Sequence, residues 1–330
     1  MRQVAARAGV AVSSVSRVLS KHPDVSSRMR DKVLAAVADL GYEPDLLAQS
    51  LRRGATLTIG FVVGDISNPL FSEIVLGAEV ALQGAGYSLL VTNSRGMSEH
   101  DVEHIRLLNQ RRVDGLLLSV SNERNAETIE ELSRFHAPCV VLDRELPEAH
   151  GLGAVLSDHR TGIEQAVSHL AELGHRRIGF VGGSLDVRPT RARTEALLEA
   201  CAASGVEAIP YCQSFTAEFG RTASRELLDL DDAPTAIIAG GNQILTGVLR
   251  TIRDRGLDVP GQLSLVTCDH LALAEFLQPP IATIDRDTFR MGRRAAEILL
   301  EMVRFGGNPR DLLPVTFVPG ASCGPPSRHG

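Results

Sequence analysis

Residues 3–20 are the stretch of this sequence best suited to recognition chemistry: two short helices broken at Gly9, the second carrying small polar residues and one arginine, Arg17. That second helix offers a guanidinium, hydroxyls and small apolar groups. Such groups suit base edges in the DNA major groove: arginine can grip guanine O6 and N7, and valine can touch a thymine methyl. Arginine can equally meet a phosphate, which positions a protein without specifying sequence. Other constellations carry less. His100 and His104 stand four apart among Glu99, Asp101 and Glu103, but no third metal ligand lies nearby and a solvated helix face is the simpler account. Gly151-Leu152-Gly153 leads into a strand rather than a helix, so it is not a dinucleotide loop. No GxSxG, HExxH or P-loop pattern occurs and no acid pair stands out, so neither catalysis nor a cofactor or metal is expected.

Two short helices must hold these groups in place. Residues 3–20 break at Gly9; Val4, Ala5 and Ala8 give the first helix an apolar face, and Val15, Val18 and Leu19 give the second one. This is the helix-turn-helix pattern, whose second helix lies in the major groove. A helical hairpin that merely packs shares the pattern. A third helix begins at Ser26 or Ser27, carries the stripe Val33, Leu34, Val37 and Leu40, and ends at Gly41. After the turn Gly41-Tyr42-Glu43-Pro44-Asp45, residues 46–53 have helical character until Gly54-Ala55-Thr56 breaks it. A helix this short is unstable alone, so the segment reads as a conditional hinge.

Charge is divided unevenly. The 330 residues carry a net charge of −6, yet residues 1–53 hold nine basic and five acidic groups, about +4, which leaves the remainder near −10. That asymmetry suits a DNA-binding module fused to a different body. Five cysteines (Cys139, Cys201, Cys212, Cys268 and Cys323) stand far apart with no CxxC pair, the usage of a reducing compartment. No apolar run approaches the roughly 18 residues of a membrane span, and Met1-Arg2-Gln3 opens no signal peptide. A cytoplasmic protein at the nucleoid, with no membrane partner, is expected.

From Thr58 onward apolar runs alternate with amphipathic segments. Strand candidates are 59–63, 87–92, 115–118, 139–142, 154–156, 178–181, 236–239, 263–266, 282–284 and 315–318. Helix candidates between them include 73–83, 102–110, 163–173, 192–203, 244–255 and 290–303. Continuous apolar strands alternating with helices mean parallel sheets covered on both faces. Their number exceeds one usual sheet, so the α/β fold expected is two doubly wound parallel-sheet lobes with a ligand cleft at the strands' carboxyl ends.

At this point the residues resemble the lactose/galactose-repressor (LacI/GalR) family over nearly the whole chain. The matching motifs are Val4-Ala5…Ala8-Gly9-Val10, Val15-Ser16-Arg17-Val18-Leu19 and Gly41-Tyr42-Glu43-Pro44. In the body they are Asp65-Ile66-Ser67-Asn68-Pro69-Leu70-Phe71, Asp143-Arg144, Gly174-His175-Arg176-Arg177-Ile178 and Pro279-Pro280-Ile281-Ala282-Thr283-Ile284. Each is weak alone; their order and spacing are specific. The resemblance implies a DNA-binding transcriptional regulator controlled by a small polar effector such as a sugar. It would act as a homodimer on a pseudo-palindromic double-stranded operator, with a periplasmic-binding-protein-like core. The implied organisation is a helix-turn-helix domain at 1–44, a hinge at 45–57 and a core at 58–330. Within the core the first lobe would take 58–156 and 287–320, and the second 157–286.

Carried over residue by residue, the resemblance makes Val12, Ser13, Ser16 and Arg17 the base readers. Leu51, with Ala48 and Gln49 beside it, becomes the hinge wedge that enters the minor groove when two hinges lie together; an ordinary amphipathic helix packed on the core is the competing account. Around the cleft it points to Asp65, Ser67, Phe71, Asp143, Arg193, Phe215 and Asp269. Aspartate and arginine can each bind hydroxyl pairs, and an aromatic ring can cover a flat ligand face, although Phe215 reads equally as core. The dimer face is expected on the helix after Pro69, with Ile74, Val75, Ala78 and Leu82 partly exposed. The tail 320–330 lacks a leucine heptad, so no coiled-coil tetramer is expected.

Several positions depart from the family pattern. Ala11 replaces the serine that caps the recognition helix, a loss of about 1 kcal/mol. Gly241-Asn242 replaces an Asn-Asp pair, His159 an asparagine, His270 an aspartate and Asp45 an asparagine. The chain starts almost on its first helix, from which a start codon further upstream is expected. Two rivals share the lobes: a solute-binding receptor would lack the basic head, and a sugar-converting enzyme would need a metal or acid pair in the cleft.

Overall fold

The computed structural model describes residues 1–19, 22–42, 54–269 and 277–327. The chain forms two compact units, Met1–Thr56 and Leu57–Gly330. In the first unit α1 (Arg2–Ala8) ends at Gly9 in the left-handed conformation (φ 64°), α2 spans Val12–Leu19 and α3 spans Ser27–Asp39. Ser26 supplies the cap of α3, its hydroxyl accepting from the Met29 amide at 3.3 Å. Val4, Ala5, Val15, Val18, Val33 and Ala36 form the shared core. The expected stripe on α3 is therefore corrected: Leu34 and Leu40 are exposed, and Ala36 takes the inward position beside Val33. Helix contact at this close range favours a small residue at the crossing.

The second unit holds two six-stranded sheets. In the first lobe, strands β1 (Thr58–Val63), β2 (Ser88–Asn93), β3 (Gly115–Leu118), β4 (Cys139–Leu142) and β5 (Leu152–Ser157) alternate with α4 (Pro69–Gly84), α5 (Ser98–Gln110) and α6 (Ala126–Ser133). After α7 (His159–Glu172), the second lobe runs β6 (Arg177–Gly182), α8 (Arg188–Ala203), β7 (Glu207–Cys212), α9 (Ala217–Leu228), β8 (Ala236–Ala239), α10 (Asn242–Arg255), β9 (Ser264–Cys268) and β10 (Ala282–Asp285). The chain then returns through α11 (Thr288–Phe305) and β11 (Arg310–Leu313) to the first sheet, and ends with β12 (Thr316–Val318) on the second.

The sheet orders are β11-β5-β4-β3-β1-β2 and β12-β10-β9-β8-β6-β7, parallel except for the β10–β12 pair. Inner strands are buried along their length, as a sheet covered by helices on both faces requires. The chain crosses between lobes a third time between β11 and β12. The segment expected in the first lobe through residue 320 therefore divides, because Thr316–Val318 pairs with β10. β7 and β11 fall outside the strand candidates. Both sit at or beside a sheet edge, where the proline of Glu207–Cys212 and the charged start of Arg310–Leu313 are tolerated and mask the apolar signal.

The expected dimer face on α4 is also corrected. Ile74, Ala78 and Leu82 lie in the core of the first lobe and of the four expected residues only Val75 stays partly exposed, while Leu76 and Val80 are about half exposed at 51% and 50%. The cause is the tight seating of α4 on α11. A Cβ on Gly77 would stand 2.0 Å from the Phe289 carbonyl oxygen, and one on Gly292 would stand 1.8 Å from that of Ile74. All five cysteines are free, and burial pushes the Cys139 thiol up to about 12 and that of Cys268 up to about 11. Among the described residues no helix is long and apolar enough to cross a membrane.

Candidate functional site

On α2 the packing of Val15 and Val18 turns the opposite face outward. Val12 (43% exposed), Ser13 and Arg17 lie on that face, with Ser16 half-buried at its edge. α2 thus presents the group of side chains singled out from sequence. Ala48, Gln49 and Leu51 lie outside the described residues, as do Asp45 and His270.

In the second unit a cavity of about 370 Å³ opens where the carboxyl ends of the two sheets face each other. Asp65 follows β1, Asp143 follows β4 and Asp269 follows β9; α8 contributes Arg193. Asp65, Phe71, Asp143, Arg193, Phe215 and Asp269 all line the cavity. Ser67 does not. Its hydroxyl donates to Asp65 Oδ1 at 2.8 Å and accepts from Gln243 Nε2 at 3.2 Å, while the same Gln243 nitrogen donates to Asp65 Oδ2 at 3.0 Å. Gln243 is the second residue of α10, so this bond joins the two lobes at the cavity wall. Burial works against ionisation of Asp65, but the bonds from Gln243 and Ser67 outweigh it and lower its pKa.

Phe215 owes its position to a glycine. Its ring fills the space above Gly183, where a Cβ would come within 2.2 Å of ring carbons, and approaches the Cβ site of Gly241 at 3.6 Å.

The cavity floor is a buried charge network. Asp143 accepts four bonds: from the Ser157 amide (3.1 Å) and Arg188 (2.9 Å) at Oδ1, and from His159 Nε2 (2.8 Å) and Arg286 at Oδ2. These fill the acceptor capacity of a carboxylate. Asp269 is less committed. Its Oδ1 accepts from Arg286 Nε at 2.5 Å and from Arg193 at 3.5 Å, and among the described residues nothing bonds Oδ2, which leaves it for a ligand. Arg193 also donates to His159 Nδ1 (3.2 Å) and to the Gly240 carbonyl (3.0 Å), and retains further N–H groups.

Burial by itself would push the Asp143 carboxyl up; His159, Arg286 and Arg188 outweigh it and hold it well below the usual carboxylate range. Asp269 is lowered in the same way, by Arg286 and Arg193 against burial. Burial drives the imidazole of His159 down to about 4, overcoming the pull of Asp143. A neutral ring fits its two bonds: Nδ1 accepts from Arg193, so the hydrogen sits on Nε2 and points to Asp143.

Sequence reasoning left Arg188, Arg286 and Gln243 unassigned. Arg286 lies two residues beyond the quoted motif ending at Ile284, and a cation between an apolar strand and a helix was the available signal. Arg188 and Gln243 carry no signal of their own, since each acts through a partner on the other lobe.

Comparison with known proteins agrees with this geometry. Residues 1–45 match "Bacterial regulatory proteins, lacI family", and residues 167–323 match a periplasmic binding protein-like domain. The HTH-type transcriptional repressor CytR of Escherichia coli (strain K12) is 32% identical over 307 residues, 92% of this chain and 89% of the relative. The ribose operon repressor of the same strain is 32% identical over 307 residues, covering 92% of each chain. Among solved structures, the lac repressor dimer bound to operator and the anti-inducer ONPF superposes with a TM-score of 0.86 at 27% identity, covering 97% of both chains.

Proposed function

This chain belongs to the LacI family of bacterial regulatory proteins, and from that membership we propose the parts its residues play. Its relatives are transcriptional repressors, not enzymes, and it is a DNA-binding repressor that works as a homodimer on operator DNA under the control of a small-molecule effector. Val12, Ser13, Ser16 and Arg17 are assigned to base and phosphate contacts, since α2 exposes them while its other face is core. Ala48, Gln49 and Leu51 are assigned to the hinge that meets the minor groove. Helix α4 is assigned to the dimer contact, through Leu76 and Val80 in place of the buried Ile74, Ala78 and Leu82. A regulator of bacterial genes works beside the chromosome, so we place it in the cytoplasm, at the nucleoid.

The effector is a polar metabolite with neighbouring hydroxyl groups and one flat face, a sugar or nucleoside. The observation that carries this reading is that Arg193, Asp269, whose Oδ2 has no partner among the described residues, and the Phe215 ring line one cavity. Arginine donates and aspartate accepts, the pair that a hydroxyl couple needs, and the ring covers carbon. Asp143 is assigned to holding this floor together, because its acceptors are already filled. The name of the ribose operon repressor agrees with this class. A ligand acts by binding one arrangement of the lobes better than the other, which shifts how the dimer grips DNA.

The test is a thermal-shift screen of the full chain against pentoses, hexoses, nucleosides and organic acids, since a ligand that binds only the native state raises the melting temperature. A sugar or nucleoside that stabilises wild type but not Arg193→Ala is expected. Stabilisation by organic acids alone would overturn the assignment.

A further inference from the structure

Glu123 stands in the first lobe between β3 and α6, and its carboxylate is buried, with the residue 1% exposed. Among the described residues its hydrogen bonds all run to the second lobe, while the buried Arg144 of its own lobe attracts it electrostatically. Its backbone amide donates to the Asp186 carbonyl at 3.1 Å, Oε1 accepts from the Arg188 backbone amide at 2.7 Å, and Oε2 accepts from the Arg191 guanidinium. Arg188 is the first residue of α8. The residue preceding that helix, Val187, offers no side-chain acceptor, so the first turn lacks a cap of its own.

We propose that Glu123 is a cross-lobe latch, a carboxylate of one lobe that caps a helix of the other and holds the cleft closed. Open amides and the positive end of the helix dipole favour an anionic acceptor at that place. Parting the lobes strips the first turn of α8 of its cap and Arg191 of its ion pair. The same helix carries Arg188, which reaches Asp143 at 2.9 Å, and Arg193, which reaches Asp269. Glu123 is therefore a positioning residue: it sets where the arginines of α8 stand when the lobes meet. Asp65, which accepts from Gln243, makes a further tie between the lobes at the cavity wall.

The consequence for effector binding rests on the cleft reading given above; the latch itself is tested without ligand or DNA. Spin labels carried as unnatural amino acids at Glu99 and Glu218 report the gap, since both are exposed and their neighbours Ser98 and Thr216 line the cavity from opposite lobes. In the full chain, Glu123→Ala is expected to lengthen and broaden the label-to-label distance distribution. Glu123→Gln, which keeps an oxygen for the Arg188 amide, is expected to lie between it and wild type. Arg191→Met, with the carboxylate intact, serves as the second variant should the alanine protein not fold, and is expected to broaden the distribution too. A local cap alone would leave the distance unmoved, so unchanged distributions in the folded variants overturn the latch. Normal ligand binding by Arg193→Ala would instead overturn the cleft reading and leave the latch standing.

Discussion

His159 donates its Nε2 hydrogen to Asp143 across 2.8 Å while its Nδ1 accepts from Arg193 at 3.2 Å, so one neutral imidazole ties a carboxylate of the first lobe to an arginine of the second. The ring gains a proton near 6.5 when solvated and only near 4 here. Between those values the unfolded chain binds more protons than the native one, so stability falls as pH drops from about 6.5 to about 4. A shift of this size is worth about 3 kcal/mol. Asp143, held low, acts in the same direction further down, its contribution being lost as pH falls below the ordinary carboxylate range. Melting temperature measured between pH 7.5 and 4 should show this slope in wild type. In His159→Asn, whose amide can donate to Asp143 and accept from Arg193, the slope should flatten; equal slopes in the two proteins contradict the assignment.

Asp143 and Asp269 should separate stability from binding. Asp143→Asn takes away the one charge that Arg286 and Arg188 share, leaving Arg286 only Asp269 and Arg188 only the more distant Glu145, a loss of about 3–5 kcal/mol in denaturant unfolding. Asp269→Asn keeps Asp143 as a partner for Arg286 and should lose less stability, but it should weaken the ligand found in the thermal screen at least about ten-fold. The reverse order would show that Asp143 is the ligand carboxylate.

Arg17 should read a base. Binding of Arg17→Ala to a library of operator variants is expected to fall by about 1–3 kcal/mol for the preferred duplex, with relaxed preference at one base pair. A uniform loss across sequences, with the salt slope reduced by about one, would assign it to phosphate instead.

The dimer contact should run through the exposed apolar pair of α4. Leu76→Glu combined with Val80→Glu is expected to give a folded monomer in sedimentation with operator binding lost, because one head reads only half of a two-fold site. A dimer at the wild-type concentration would place the contact elsewhere.

The alternation of apolar strands and amphipathic helices was legible because central parallel strands are buried on both faces and spell continuous apolar runs. Thr58–Val63 and Ala236–Ala239 are of this kind. Edge strands such as Glu207–Cys212 were not legible, since an edge tolerates proline and charge. In the site, the residues at strand ends were within reach, as the topology brings those ends together. What sequence spacing could not give was the state of each side chain. Asp143 and Asp269 look alike in sequence, but only the geometry shows one filled and the other with an open oxygen. Ile74, Ala78 and Leu82 were misjudged as interface because an apolar helix face does not say which neighbour covers it, and here α11 does.

Operator affinity of the full chain, measured with and without the ligand that raises its melting temperature, bears most directly on the cleft as the control element. In wild type, saturating ligand should change the affinity by about five-fold or more, in either direction. Arg193→Ala should bind the operator as tightly as wild type and show no response. An operator affinity in wild type that is indifferent to a ligand bound in the cleft, or an undiminished response in Arg193→Ala, would contradict it.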